Sequence, residues 1–139
     1  MSFYEIPRPV VVDASVAIEL VNGDAGWRHA FTEWGTDNRL LLCPPLFLAE
    51  VANGLIRGRT KMSGADALIS VARLIEVGIE NSDRGISAIQ EAVILAERHD
   101  LTVYDALYLQ LALDVDGELA TLDSDLRRAA IAEDVTLSP

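Results

Sequence analysis

Short apolar segments that suit buried strands alternate along this chain with longer segments of helical pattern. Residues 10–12 form a β-branched run, and residues 39–43 and 119–122 are two further short apolar segments. Such alternation predicts an α/β/α sandwich of three layers around a mainly parallel central sheet. With 139 residues, 50% of them hydrophobic, the chain fits one such domain over residues 1–139.

Capping residues and helix breakers set the predicted helix bounds. Ser15 is predicted to cap the first helix, Ser63 to open the fourth and Thr102 to cap the sixth. We also predict a short strand at 77–79 and a last edge strand at 135–137. The predicted helices cover residues 16–21, a segment containing Trp27 and Trp34 that ends near 35, 46–56, 63–76, 85–99, 102–113 and 124–132.

The net charge limits how a nucleic acid can approach. The chain has 22 acidic and 11 basic residues, so its formal net charge is −11 at pH 7. Such a protein repels a polyanion at long range, and any nucleic-acid contact has to be local or bridged by metal cations. A basic partner protein is equally compatible with this charge.

Cysteine content and hydropathy predict a cytoplasmic protein that does not contact membranes. Cys43 is the single cysteine, which rules out an intramolecular disulfide and fits a reducing compartment. No apolar run reaches the roughly 18 to 20 residues that span a bilayer. Residues 1–9 lack the basic start and apolar stretch of a secretory signal.

Two aspartates stand where ligands bind in parallel sheets. Asp13 directly follows the first predicted strand, and Asp123 follows the strand at 119–122. Ligands of such sheets bind beyond the carboxyl ends of the strands. An aspartate between a strand and a helix is also a common helix cap, although Ser15 offers another cap for the first helix.

Two more acids lie in helices that are unusually apolar. Glu50 shares a helical face with Leu46 and Asn53, at spacings of four and three residues. Either its carboxylate points to water while its neighbours pack, or it is buried and needs a partner. Asp105 follows Thr102 by three residues, which is a capping-box pattern, in a helix that is apolar nearly all round.

Taken together, the four acids indicate a cation site. Converging carboxylates repel one another, and a divalent cation relieves that repulsion. Oxygen ligands favour Mg²⁺ or Mn²⁺ over zinc. His29, His99 and Cys43 show no metal-site spacing, and nothing in the sequence supports a side-chain nucleophile.

The acids lie in four ordered motifs that resemble the PIN-domain family, most closely VapC-like toxins of type II toxin–antitoxin pairs. The motifs span most of the chain; they are VVDASV at 11–16, PPLFLAEVAN at 44–53, LTVYDALY at 101–108 and ATLD at 120–123. The resemblance implies that Asp13, Glu50, Asp105 and Asp123 hold one or two Mg²⁺ or Mn²⁺ ions. Asp125 could share or replace the role of Asp123.

The resemblance also implies helpers for these ligands. Ser15 and Thr121 would orient carboxylates, and so would Asn53, unless it is simply a polar residue near a helix end. The implied activity is endonucleolytic hydrolysis of RNA by metal-activated water, which leaves a 5′-phosphate and a 3′-hydroxyl.

Its implied partners are an antitoxin protein, whose tail covers the site, and a second copy in a homodimer. The aromatic residues Trp27, Phe31 and Trp34 could line the groove for that tail, or could be core.

Two basic clusters could hold RNA phosphates near the ions. One lies beyond the helix of Glu50, and the other follows Asp123. Cations near helix ends also favour the helix dipole and face solvent, and that alternative stays open. The clusters are Arg57, Arg59 and Lys61, and Arg127 and Arg128.

Four other classes of protein share parts of this pattern. A HAD-type phosphatase needs a second aspartate where Ser15 stands, and a receiver domain needs a lysine near its last strand, whereas the only lysine is Lys61. A non-catalytic PIN-like partner-binding module and a metal-dependent DNA nuclease remain alternatives.

Overall fold

The structure is a computed structural model that describes residues 6–139. The described strands form a parallel sheet in the order β3-β2-β1-β4. Predictions that involve residues 1–5, the absence of a signal and the start of the domain, lie outside the described residues. The strands are β1 (Val10–Val12), β2 (Leu41–Cys43), β3 (Glu80–Asn81) and β4 (Glu118–Ala120), and the helices are α1 (Ala14–Val21), α2 (Ala25–Thr36), α3 (Phe47–Arg57), α4 (Gly64–Val77), α5 (Gly85–His99), α6 (Val103–Asp114) and α7 (Ser124–Ala132).

Strand β1 is the centre of the fold, between β2 and β4. Its three valines are fully buried, because helices cover both faces of a parallel sheet and leave no solvated side. Val11 pairs with Leu42 on one side and with Leu119 on the other. The carboxyl ends of β1 and β4 therefore meet at one edge of the sheet.

The helices pack in two groups. In the first group α1 contacts α2 and α3, and α3 also contacts α4. In the second group α6 contacts α5 and α7, and it also packs against β1 and β4. The predicted three-layer α/β/α architecture is confirmed. Gly54 allows α3 to approach α1 closely, since a Cβ there would overlap with the end of the Ile18 side chain.

Helix α6 has more buried residues than any other described helix. Ala106, Tyr108 and Leu109 are fully buried, as its apolar sequence predicts. The Thr102 hydroxyl caps it by accepting the Asp105 backbone N–H at 3.0 Å, so the predicted cap is confirmed.

Three predictions about elements are wrong. Asp13, and not Ser15, occupies the N-cap position of α1, which begins at Ala14. Helix α4 ends at Val77, and Gly78 follows it in the left-handed region at φ 92°. The strand predicted at 77–79 therefore lies further along the chain, as β3 (Glu80–Asn81). The predicted last strand reduces to a single parallel bridge between Leu119 and Leu137.

The aromatic residues of α2 pack on the core, with Trp34 buried and Trp27 and Phe31 partly buried, so the groove for an antitoxin tail stays a prediction. The Trp34 side chain is buried, and its Nε1–H donates to the Ser138 hydroxyl at 3.1 Å. The Phe31 and Trp34 rings meet edge to face at 4.8 Å, and Trp27 packs beside them. No helix among residues 6–139 is both long and apolar enough to cross a membrane.

Candidate metal centre

Asp13 lies where β1 and β4 end together. Its backbone N–H donates to the Ala120 carbonyl at 2.9 Å and extends the ladder by one step. Its side chain is only 5% exposed. The hydroxyls of Ser15 and Thr121 both donate to Asp13 Oδ2, each at 2.7 Å. Because both use the same oxygen, neither hydroxyl takes Oδ1.

The two hydroxyls are themselves held by the loop after β4. Ser15 Oγ accepts the Leu122 N–H, and Thr121 Oγ1 accepts the Asp123 N–H, each at 3.1 Å. Each hydroxyl thus links Asp13 to the backbone that leads to Asp123. Ser15 does so instead of capping α1. Orientation of carboxylates by Ser15 and Thr121 stays a prediction, and these contacts are of the kind it requires.

Glu50 stands in the first turn of α3 and is half-buried. Its Oε1 accepts the hydroxyl of Tyr108, on α6, at 2.6 Å. Sequence reasoning assigned Tyr108 no role. Its position three residues after Asp105 in an apolar helix was the available signal, since a buried tyrosine hydroxyl needs a partner. Burial, followed by the bond to Glu50, raises the pKa of Tyr108 far above its ordinary value, so the phenol is a donor.

Three carboxyl groups of the cluster are harder to ionise than usual. Burial raises the pKa of Asp13, Glu50 and Asp105, and the charges of the other acids raise it further. Glu50 is affected by Asp13 and Asp105, and Asp105 by Asp123 and Asp13. The structure therefore brings the predicted acids into one electrostatic cluster.

No protein cation compensates this cluster in the part of the chain that the structure describes. Every ion pair there involves other acids, such as Asp125 with Arg128 and Glu19 with Arg59. Buried carboxylates without a counter-charge are costly, and a divalent cation is the group that would relieve that cost.

Asp123 and Asp125 differ in their hydrogen bonds and ion pairs. Asp123 is the N-cap of α7, with Oδ1 accepting the Leu126 N–H at 2.9 Å. Asp125 is exposed, and its Oδ1 lies 2.8 Å from Arg128 Nη1. Asp125 is paired with Arg128, although its charge, like that of Asp123, helps to raise the pKa of Asp105, whereas only Asp123 also acts on Asp13. Asp123 as fourth ligand stays a prediction, and the ion pair weakens the case for Asp125.

The predicted phosphate-binding residues differ in availability. Arg127 donates to the Thr121 carbonyl at 2.9 Å, and Arg128 also reaches the His99 carbonyl at 3.3 Å. Arg59 holds both oxygens of Glu19, at 3.1 and 3.2 Å. Within residues 6–139, no ion pair involves Arg57 or Lys61.

Asn53 is exposed and makes no side-chain hydrogen bond to another described residue. Nothing in the structure assigns it to Glu50 or to another carboxylate of the cluster. Its predicted orienting role therefore stays a prediction without a contact to support it.

The donor set suits a hard divalent cation. All four acids supply carboxylate oxygens, which Mg²⁺ and Mn²⁺ prefer, and the cluster lies at the ligand-binding edge of the sheet. As the side chains stand, no three histidine, cysteine, aspartate or glutamate residues of the described part are close enough to hold an ion. The acids fit the cation by the chemistry of their oxygen donors and by their charge.

The sequence profile of the PIN domain matches residues 10–132. That span contains all four acids and most of the chain. This chain therefore belongs to the PIN-domain family, and the predicted family is confirmed. No match was found among curated proteins.

Solved structures of low sequence identity share the fold. PAE2754 from Pyrobaculum aerophilum has a TM-score of 0.67 and 22% identity, over 88% of this chain and 79% of that one. Mycobacterium tuberculosis VapC20, a toxin that cleaves the sarcin–ricin loop, has a TM-score of 0.66 and 19% identity, over 86% and 94%. VapBC2 from Rickettsia felis, bound to a DNA fragment from its promoter, has a TM-score of 0.71 and 13% identity, over 92% and 96%.

Proposed function

We propose that this protein is a divalent-metal-dependent endoribonuclease that acts as the toxin of a toxin–antitoxin pair. The observation that carries the proposal is the cluster of Asp13, Glu50, Asp105 and Asp123, whose carboxylates come from four separate segments and form no ion pair with a basic residue within residues 6–139. Its membership of the PIN-domain family supports a nuclease. The likeness of fold to VapC20 supports a toxin that cleaves RNA.

In the proposed reaction the four carboxylates would hold the cation, and Ser15 and Thr121 would fix Asp13, the most buried of them. A bound Mg²⁺ or Mn²⁺, as one or two ions, would supply the Lewis acidity that activates water and neutralises the phosphodiester. The two hydroxyls engage only Oδ2 of Asp13, which keeps acceptor capacity at this carboxylate for the cation. No side chain needs to form a covalent intermediate.

RNA would approach through local positive charge. The whole chain carries −11, so a bound cation and Arg57 have to offset the repulsion of phosphates near the cluster. Arg57, in the last turn of α3, lies on the same helix as Glu50 and is exposed. Arg127 and Arg128 are engaged with backbone carbonyls, which makes them secondary candidates for phosphate contacts.

The proposed partners are an antitoxin and a second copy of the chain, in the cytoplasm. The solved VapBC2 complex supports an antitoxin, because its fold is similar to that of this chain. An acidic surface favours a basic antitoxin segment.

The test is RNA cleavage by protein purified free of any partner. Total cellular RNA is incubated with Mg²⁺ or Mn²⁺, and then with EDTA. Asp13→Asn and Asp105→Asn run beside the wild type. The matched control is Asp66→Asn, because Asp66 has the same place after the cap of α4 that Asp105 has in α6. We expect metal-dependent fragments from the wild type and from the control, and none from the two site variants.

The same assay separates the alternatives. Equal cleavage by wild type and Asp13→Asn would contradict the proposal. A folded protein that cuts no RNA would favour a non-catalytic partner-binding module. Single-stranded DNA and a phosphate monoester, assayed in parallel, distinguish a DNA nuclease and a phosphatase from a ribonuclease.

A further inference from the structure

We propose that Tyr108 is a positioning residue, whose hydroxyl holds the Glu50 carboxylate in the orientation in which it receives the cation. The inference rests on the proposed function, because it assumes that Glu50 is a metal ligand. It concerns a residue that lies outside the four acids and their predicted helpers, and that reaches the site from the other group of helices.

The contact joins two helices that are far apart in the chain. The Tyr108 hydroxyl donates to Glu50 Oε1 at 2.6 Å, across 58 residues of sequence. The Tyr108 side chain is fully buried, so its ring has one fixed place in the core. The Glu50 side chain is only half-buried, and without this bond it has the rotational freedom of a glutamate in a helix.

The hydroxyl is more than a by-product of core packing. A phenylalanine would fill the same volume without placing a polar atom inside the fold, and a buried hydroxyl is costly unless it is hydrogen-bonded. Its partner is a carboxylate, and hydrogen bonds to charged groups are short and strong. The distance of 2.6 Å makes this a short hydroxyl–carboxylate hydrogen bond.

The position of Tyr108 on α6 links two acids of the cluster. Tyr108 follows Asp105 by three residues, and residues at this spacing share one side of a helix. Helix α6 thus presents Asp105 to the cluster, and the same helix fixes Glu50 of α3. Since the hydroxyl engages Oε1, it determines the orientation in which the remaining acceptor capacity of Glu50 meets a cation. Groups that orient metal ligands typically contribute about 10–100-fold to metal affinity.

The experiment measures Mn²⁺ affinity by calorimetry for wild type and Tyr108→Phe, with thermal unfolding as a check on folding. The matched control is Tyr104→Phe, one turn earlier on the same helix, where the side chain is 65% exposed. We expect about a tenfold or greater loss of affinity for Tyr108→Phe and none for the control. In the Glu50→Gln background, Tyr108→Phe should add no further loss of affinity.

Cleavage kinetics supply a second readout. Tyr108→Phe should need more Mn²⁺ for half-maximal RNA cleavage, and its rate should return towards the wild-type rate at saturating Mn²⁺. Wild-type affinity in Tyr108→Phe overturns the inference, as does a lower melting temperature with unchanged affinity, because the hydroxyl would then serve packing alone. A wild type that binds no Mn²⁺ overturns the proposed function together with the inference, so the two failures are distinguishable.

Discussion

The Thr121 hydroxyl lies 2.7 Å from Asp13 Oδ2 and joins the ends of two neighbouring parallel strands. Thr121 is fully buried, so water does not substitute for it. The same hydroxyl accepts the backbone N–H of Asp123 at 3.1 Å, and the residue thereby ties two candidate ligands together. A single buried threonine thus connects the end of the sheet to Asp13 and Asp123 of the candidate metal centre.

Replacing this hydroxyl should harm both stability and metal binding. Thr121→Val keeps the shape but removes one of the two hydroxyl donors to the buried Asp13 carboxylate. A hydrogen bond to a charged group contributes about 1.5–3 kcal/mol, so we expect a loss of that order in the free energy of unfolding. Denaturant unfolding and Mn²⁺ titration measure the two effects. Thr32→Val, on the exposed side of α2, is the control, and equal behaviour of the two variants would contradict the prediction.

The acid cluster should make the metal-free protein less stable as pH rises. The pKa values of Asp13, Glu50 and Asp105 are raised in the fold, so the unfolded chain releases these protons first. Their contribution to stability is complete below the ordinary carboxyl range and is lost as pH rises through the raised values. Glu133 acts oppositely, because hydrogen bonds from His99 and Arg98 lower its pKa.

Thermal unfolding in EDTA, from mildly acidic to neutral pH, measures this dependence. We expect the melting temperature to fall over that window, and Mg²⁺ or Mn²⁺ to restore it at neutral pH. The melting temperature of Asp105→Asn should fall less than that of the wild type, whereas the melting temperature of Asp66→Asn should fall as much as that of the wild type. A wild-type melting temperature that rises steadily to neutral pH in EDTA would show that the acid cluster does not destabilise the metal-free fold.

Asp123 should prove to be the fourth ligand, and Asp125 should not. Asp123→Asn keeps a capping side chain on α7 but loses the charge, so we expect weaker Mn²⁺ binding with little loss of stability. Asp123→Ala should lose binding and, in addition, about 1 kcal/mol from the missing cap. Asp125→Ala breaks an exposed ion pair and removes a minor repulsion on Asp105, so it should neither weaken Mn²⁺ binding nor destabilise the fold. Stronger impairment in Asp125→Ala than in Asp123→Asn would reverse the assignment.

Arg57 should contribute to RNA binding and not to chemistry. Arg57→Glu should raise KM for RNA and leave kcat unchanged. The increase should shrink at high salt, because exposed charges are screened beyond about 8 Å at physiological ionic strength. Arg73→Glu on α4 changes net charge equally and is the control. Identical KM values for the two variants would mean that only net charge matters.

The sequence was sufficient for most of the fold, because the signals for it are local. The valine run of β1 and the caps at Ser63 and Thr102 identify their elements directly. Strand β3 was misplaced because its two exposed residues carry no apolar pattern, and the turn at Gly78 moves it along the chain.

The candidate site, like the fold, was predictable only where its signals are local. The acids after β1 and β4 are predictable, because parallel strands bring their carboxyl ends to one edge. The contact of Tyr108 with Glu50 depends on how α6 and α3 pack, and no local pattern gives that distance. The bond between the Ser15 hydroxyl and the backbone amide of Leu122 was not predictable for the same reason, since it depends on where the loop after β4 lies.

The most direct test of the account is whether the four acids form one cation site. Mn²⁺ is titrated into metal-free protein at neutral pH, and the free ion is followed by electron paramagnetic resonance. The account predicts saturable binding by the wild type and marked weakening in each of Asp13→Asn, Glu50→Gln, Asp105→Asn and Asp123→Asn, with Asp66→Asn unaffected. Undiminished binding in all four site variants would contradict it.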